Sequence, residues 1–179
     1  QRQMCIRDSD NDELKSIKPF PPKKVRPCVF EFIYFSRPDS ILNGKTAYEY
    51  RKNFGAQLAD EDNIDADLVV PVPDSGNAAA LGYAEKKGLK FDLGLIRNHY
   101  VGRTFIEPSQ QIRSLGVKLK LNPNISVIKD KRIILVDDSL VRGTTSSKIV
   151  KMLYDAGAKE VHVRIASPEI KYPDFYGVD

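Results

Sequence analysis

Residues 133–146, Ile-Ile-Leu-Val-Asp-Asp-Ser-Leu-Val-Arg-Gly-Thr-Thr-Ser, constrain the fold more than any other stretch of the chain. The apolar run Ile133 to Val136 predicts a buried strand, Asp137 and Asp138 follow at its end, and Gly143 to Ser146 open a helix. A buried strand that ends in acids and feeds a helix is the repeating unit of a parallel α/β sheet, where ligands gather at the strands' carboxyl ends. The backbone N–H groups of Arg142 to Ser146 would then face outward at a helix N-terminus, where unpaired donors and partial positive charge attract an anion. Gly143 permits the positive φ that such a turn needs. Asp137 and Asp138 fall where they can meet sugar hydroxyls or hold a hydrated Mg²⁺, an ion that takes a few carboxylates plus substrate oxygens. Two adjacent acids alone would suit an ordinary polar turn before a capped helix. The full string favours the ligand site.

The same unit recurs along the chain. Leu68 to Val72 reads as a short buried strand, Gly76 to Lys87 as an Ala-rich helix stopped by Gly88, and Phe91 to Ile96 as the next strand. A helix around Ser146 to Ala156, ended by Gly157, separates Ile133–Val136 from a strand at Val161 to Ala166. Alternating strands and helices predict an α/β fold with a doubly wound, mostly parallel sheet flanked by helices. Val29 to Phe35 is β-branched and aromatic and is expected to be a strand. Thr46 and Glu49 form a capping-box pattern, and Ala47, Tyr50, Phe54 and Leu58 follow at helical spacing as a core face. No internal repeat is present. Between Ile96 and Lys131 lies a long stretch of weak periodicity that carries Arg97, Tyr100, Gly102, Arg103, Arg113, Lys118 and Lys120. Loops this long are usually functional or disordered. Basic content after a central strand favours a lid over a polyanion rather than a plain surface excursion.

Bulk properties set wide bounds. A chain of 179 residues fits one domain with a real core. No apolar run approaches the ~20 residues of a membrane span, and there is no signal-peptide pattern. Cys5 and Cys28 supply no disulfide framework, so the cytoplasm is the default compartment. The net charge of +4 suits an anionic substrate or simply a solvated basic surface. Residues 1–27 are polar, with Pro19, Pro21, Pro22 and Pro27 and a basic cluster at 23–26, and read as linker or extended cover.

The string at 133–146 resembles the phosphoribosyl pyrophosphate (PRPP) signature of type I phosphoribosyltransferases. The segments Cys28–Ser40, Val72–Ser75, Asn98–Ile106 and Pro168–Ile170, in that order, narrow the resemblance to the amidophosphoribosyltransferase family, from about Cys28 to Asp179. That resemblance implies the type I fold with a long flexible active-site loop over residues 28–179. It also implies an enzyme that forms 5-phosphoribosylamine, pyrophosphate and glutamate from PRPP, glutamine and water, the entry step of purine synthesis. The family's N-terminal glutaminase domain does not match here: Met4-Cys5 is followed by Ile6 where the family has glycine. Residues 1–9 resemble no part of the family, as a foreign or mistranslated leader would. The family also continues with more helix beyond Gly177-Val178-Asp179. The chain is therefore expected to be a fragment, truncated at its C-terminus, that carries the PRPP and ammonia half-reaction.

By resemblance, the 5-phosphate lies on Arg142, Gly143, Thr144, Thr145 and Ser146, with Asp137, Asp138 and Ser139 at the ribose. Asp74, Ser75 and Gly76 wrap the pyrophosphate, and Ser75, Asp137 and Asp138 are associated with one Mg²⁺ per subunit. Ser75 equally fits a plain helix N-cap. Arg97, Tyr100, Arg103 and Thr104 belong to the closing loop. Tyr100, Arg103, Asp137 and Asp138 are the residues assigned to catalysis, and loss of Arg103 is expected to cost roughly 2–4 kcal/mol of transition-state stabilisation. Some members hold an iron–sulfur cluster. Cys28 matches one ligand position but Asp174 stands where another cysteine would be, so no cluster is expected. His99 and His162 lack metal spacing, and His162 reads as structural. Purine nucleotide inhibitors, ammonia from the absent glutaminase domain and a homotetramer are family expectations, with no membrane or nucleic-acid partner. Two rivals remain: a regulatory relative that senses PRPP and binds nucleic acid through a basic face, and a transferase acting on a nucleobase.

Overall fold

The computed structural model describes residues 6–10, 13–22, 24, 26–99, 120–169 and 171. Its centre is a four-stranded sheet in the order β10-β9-β5-β6, formed by β5 (Leu68–Pro71), β6 (Lys90–Phe91), β9 (Arg132–Asp137) and β10 (Glu160–Ile165). Every pairing in it is parallel, with Leu68 opposite Ile133 and Val161 also opposite Ile133. Central strands buried on both faces need apolar residues at successive positions, and β5 and β9 supply them.

The two faces carry separate cores. Leu68, Val70, Ile133 and Leu135 pack with Ile149 and Leu153 of α4 (Thr144–Asp155), and with Ile128 of α3 (Ile125–Ile128). Val69, Ile134 and Val136 pack on the other side with Ala79, Ala80 and Tyr83 of α2 (Asn77–Lys87) and Ala59 of α1 (Ala47–Asp60). The result is the expected doubly wound α/β arrangement, helices on both sides of a parallel sheet.

The capping box of α1 is complete, with Thr46 Oγ1 accepting from the Glu49 N–H and Glu49 accepting from the Thr46 N–H. Its inward face differs from the expected one. Ala47, Arg51, Gly55 and Ala59 are buried, while Tyr50, Phe54 and Leu58 are only half-buried. Small residues win because α1 and α2 touch backbone to backbone. A Cβ on Gly55 would lie 1.8 Å from the Ala79 carbonyl oxygen, and one on Gly82 would lie 1.9 Å from that of Lys52.

Two expected strands are corrected. Residues Glu31–Phe35 form one π-helical turn closed by Ser36 N–H to Glu31 O at 3.3 Å, not a strand. Arg51 secures it, with Nε donating to Phe32 O at 3.0 Å and Nη2 to Ser36 O at 2.7 Å, and Phe32 stacks edge-on against Tyr50. The run from Phe91 to Ile96 is broken. Phe91 ends β6, Gly94 squeezes past Val70 and Ile128, and β7 (Leu95–Arg97) pairs antiparallel with β8 (Leu121–Pro123). Small antiparallel ribbons join β1 (Ile6–Asp10) to β2 (Glu13–Ile17) and β3 (Ile41–Leu42) to β4 (Lys45–Thr46).

One buried charge ties β10 to the α1–α2 layer. Asp62, 7% exposed, accepts from Arg164 through both carboxylate oxygens, from Tyr83 Oη at 2.7 Å and from the Ile64 N–H at 3.1 Å. Arg164 above all holds the Asp62 carboxyl well below the usual carboxylate range, and burial opposes it.

Two tests follow from this packing. Gly82→Ala should lower stability by about 2 kcal/mol, read as a lower urea midpoint at unchanged slope, because the added methyl meets rigid backbone. A carboxyl depressed in the folded state stabilises fully above its unfolded value, near pH 4, and loses that contribution as pH falls toward the folded value. Asp62→Asn should cost about 2 kcal/mol at neutral pH and flatten the acid limb of the stability profile. A limb unchanged in slope would mean that Asp67, held down to about 2 chiefly by Arg132, accounts for it instead.

Candidate active site

The chain leaves β5 through α2 to reach β6 on one side of the sheet, and leaves β9 through α4 to reach β10 on the other. The strand order therefore reverses between β5 and β9, and the two chain segments part at their carboxyl ends. That crevice is where open α/β sheets place ligands. It is bounded by residues 72–76 on one side and 137–143 on the other.

The two sides touch. The Val72 N–H donates to Val136 O at 2.8 Å, extending the β5–β9 ladder. Gly76 sits so close that a Cβ would lie 2.5 Å from Val136 O and 2.9 Å from Val72 O. Gly76 is also the N-cap of α2, with no side-chain cap. Ser75 therefore does not cap the helix, and its half-buried hydroxyl stays on the crevice loop.

Asp137 and Asp138 are held by the backbone around them. The Asp138 N–H donates to Asp137 Oδ1 at 2.9 Å, and the Ser139 N–H to Asp138 Oδ1 at 2.8 Å. From beyond β10, the Ala166 and Ser167 N–H groups donate to the carbonyls of Asp137 and Asp138 at 3.0 and 2.9 Å. Asp138 is 7% exposed, and its Oδ2 is buried without a hydrogen-bond partner. Burial first, and the neighbouring Asp138 charge second, push the Asp137 carboxyl up to about 7. Such a pair accumulates negative charge that a cation or ligand donor would relieve. Among the described residues no cluster of three or more His, Cys, Asp or Glu forms a self-sufficient metal cage. Two carboxylates with a free buried oxygen fit Mg²⁺, which keeps waters and takes substrate oxygens for the rest of its shell.

Beyond the acids, Gly143 takes φ 71° and caps α4 without a side chain. The first bond of the helix runs from the Ser147 N–H to Gly143 O at 2.9 Å. No acceptor for the N–H groups of Thr144, Thr145 and Ser146 is found among the described residues, and the hydroxyls of Thr144 and Thr145 are exposed beside them, as is Arg142. A helix N-terminus with unpaired N–H donors close along the chain to the acid pair can hold an anion.

Arg97 closes a third side. From the end of β7 its Nη1 donates to Asp74 Oδ2, linking two residues expected at the pyrophosphate, while its Nε is buried without a partner. The crevice thus joins Asp74, Ser75, Gly76, Arg97, Asp137, Asp138, Ser139 and Arg142 to Ser146 around one set of strand ends. Tyr100, Arg103 and Thr104 lie outside the described residues, as does Asp174. Cys28 is a free, half-buried thiol. His162 meets Glu160 Oε2 at 3.0 Å, away from the crevice, in keeping with a structural residue.

Two polar residues escaped the sequence reading. Asn77, the first residue of α2, has a buried Oδ1 without a partner. Arg51 is 7% exposed, and burial, opposed in part by the charge of Asp138, pulls its guanidinium below its ordinary value. The only hint in the sequence was a charged residue at the i+4 position between Ala47 and Gly55.

This parallel sheet flanked by helices, with an acid pair at its switch point, fits the class of type I phosphoribosyltransferase folds. No family model matches the chain. It is 61% identical over 162 residues to the amidophosphoribosyltransferase of Rhizobium etli, covering 90% of this chain and 33% of that protein. It is 57% identical over 177 residues to amidophosphoribosyltransferase 2, chloroplastic, of Arabidopsis thaliana, covering 99% of this chain and 31% of that one. A solved structure of glutamine PRPP amidotransferase from B. subtilis, complexed with ADP and GMP, superposes with a TM-score of 0.79 at 51% identity, covering 94% of this chain and 37% of that one. Over most of its length the chain matches proteins named amidophosphoribosyltransferase, and it spans about a third of the length of these curated relatives.

The glycines of the crevice offer a direct test. Gly76→Ala should cost about 2 kcal/mol and weaken binding of inorganic pyrophosphate, since its methyl must push the 72–76 loop off β9. Gly143→Ala meets no atom within 4 Å and should cost only the strain of a positive φ, about 1 kcal/mol. Urea titration and pyrophosphate calorimetry on both variants check the contrast.

Proposed function

We propose that this chain binds PRPP at the crevice between β5 and β9 and carries the ammonia-dependent half of the amidophosphoribosyltransferase reaction. In that reading the whole polypeptide makes 5-phosphoribosylamine, pyrophosphate and glutamate from PRPP, glutamine and water, opening purine synthesis. The observation that carries it is the junction of the acid pair with the uncapped N-terminus of α4, at the one place in the sheet where strand order reverses. High identity to proteins named for this reaction supports it.

The chemistry asks for little covalent help. Ammonia's lone pair forms the new C1–N bond as the C1–O bond to pyrophosphate breaks, with positive charge growing on the ribose and negative charge on the leaving group. The protein's work is positioning, charge stabilisation and exclusion of water. The Thr144, Thr145 and Ser146 N–H groups hold the 5-phosphate, Asp137 and Asp138 take the ribose hydroxyls, and the 74–76 loop with Arg97 receives the pyrophosphate. Arginine's planar fork suits that last task. Tyr100, Arg103 and Thr104 complete the pyrophosphate side in this reading. Asp137, Asp138 and the Ser75 loop would hold Mg²⁺, which would supply positive charge to the diphosphate.

The finer attributes belong to the same proposal. Ammonia reaches the crevice from a glutaminase domain of the complete protein. The enzyme works in the cytoplasm as a homotetramer under feedback by purine nucleotides. The ADP and GMP in the B. subtilis complex support the last of these. In the described residues no helix is long and apolar enough to cross a membrane.

Calorimetry tests the core of the proposal. PRPP should bind the native chain in the presence of Mg²⁺ and at least about tenfold more weakly with EDTA. In the complete enzyme, Asp137→Asn or Asp138→Asn should lower ammonia-dependent synthesis by about 100-fold while glutaminase activity persists. Unchanged turnover in both variants would remove the acids from the mechanism.

A further inference from the structure

Arg97 and Asp74 meet at the crevice, but their contact differs from the ion pair that ties β10 to the α1–α2 layer. Arg164 grips Asp62 with Nε and Nη2 together, one on each carboxylate oxygen. Arg97 grips Asp74 with one donor, Nη1 to Oδ2, and its Nε is buried without a partner. The Asp62 side chain is 7% exposed, whereas that of Asp74 is 51% exposed. A one-point pair with a solvated partner contributes little and is easily broken. Two-point pairing of the guanidinium fork with a carboxylate or a phosphate is stronger. The Arg97 fork is therefore only partly used.

The backbone on both sides of this contact is held. Arg97 ends β7 opposite Leu121, and the Asn98 N–H prolongs that ribbon by donating to Lys120 O at 2.8 Å. On the facing loop, the Gly76 N–H donates to Val72 O at 2.9 Å and the Asn77 N–H to Asp74 O at 3.3 Å. The pair can thus open by rotation of the Asp74 side chain alone, with sheet and loop unchanged. Rotation frees Nη1 on a guanidinium whose Nε already lacks an acceptor. Both donors then await an anion on the side of the crevice proposed to receive the pyrophosphate.

We infer that Asp74 is an internal competitor at the anion site: its carboxylate occupies Arg97 where a diphosphate oxygen would, and the arriving diphosphate displaces it. This rests on the function proposed above and adds a built-in brake on binding to it. Asp137, Asp138 and Ser75, the residues matched to Mg²⁺, take no part in the pair. The rival role is orientation, in which Asp74 aims Arg97 at the ligand and stays bonded to it. The two roles have opposite signs. Removing a competitor strengthens binding of the diphosphate, and removing an orienting partner weakens it.

A double-mutant cycle decides between them. Asp74→Asn, Arg97→Gln and the double variant are titrated with inorganic pyrophosphate and Mg²⁺ by calorimetry, with folding read by urea titration. Arg97→Gln should weaken binding by about tenfold, as loss of a charge-assisted bond does. Asp74→Asn should tighten binding by about fivefold in the native background, the upper end for an exposed pair. Beside Arg97→Gln the same substitution should gain less than about twofold. An equal gain in both backgrounds would mean only general repulsion by one acid, and overturns the inference. A loss of affinity in Asp74→Asn assigns orientation instead, and unchanged affinity assigns no role; either is equally fatal. Asp74→Ala leaves Arg97 no side-chain acceptor at that position and should match or exceed the gain, so it decides if Asp74→Asn does not fold. Absence of pyrophosphate binding by the native chain and every variant is a different failure: it removes the functional reading itself, and this inference with it.

Discussion

The parallel pairing of β5 with β9 is the constraint on which the rest depends. Their ladder runs from Leu68 opposite Ile133 to Pro71 opposite Val136 and is prolonged by the Val72 N–H. Parallel strands buried on both faces cannot tolerate polar side chains, so polarity appears only where the ladder ends. Both strands end together, and both lead into helices. Since those helices depart toward opposite edges of the sheet, a cleft opens between two helix-feeding turns. Nothing about the acids or the glycines would assemble a site without that common terminus.

Around it, charged side chains tie the layers together. Asp62 joins α1, α2 and β10 through Tyr83 and Arg164, and Arg132 draws Asp65 and Asp67 to the foot of β9. Asp138, at the ligand end, is buried as well. The difference lies in completeness. The Asp62 carboxylate has donors for both oxygens, whereas Asp138 retains one oxygen without a donor. A satisfied ion network is structural; one that stops a bond short leaves work for a ligand.

Much of this was legible in the chain. The run Ile133–Val136 is too short and too apolar for anything but a buried strand beside Gly143 and the hydroxyl-rich turn, and the capping box fixed the start of α1. The errors came where tertiary contact outweighs local preference. Residues 29–35 have strand composition, yet Arg51 donates to the Phe32 and Ser36 carbonyls and holds the segment as a tight turn instead. The aromatic positions of α1 looked like its core face because hydrophobicity favours them. Helices in backbone contact select small residues, and Gly55 and Ala59 carry no such signal. The strand at Phe91 breaks at Gly94 because Val70 and Ile128 leave no room for a side chain there. Among site residues, Asp137, Asp138, Gly76 and Arg97 could be found from pattern and resemblance. The packing role of Arg51 could not, since it comes from the Phe32 and Ser36 carbonyls that only the fold brings to it.

The backbone bonds from Ala166 and Ser167 to the carbonyls of the acid pair have a consequence for adaptability. Asp137 and Asp138 are sewn into a ladder on one flank, and on the other α4 begins with the bond from the Ser147 N–H to Gly143 O. Only the short bridge from Ser139 to Gly143 spans these two rigid walls. Substitutions in that bridge can therefore be absorbed with the register of the sheet untouched, whereas changes in the acids themselves disturb the ladder.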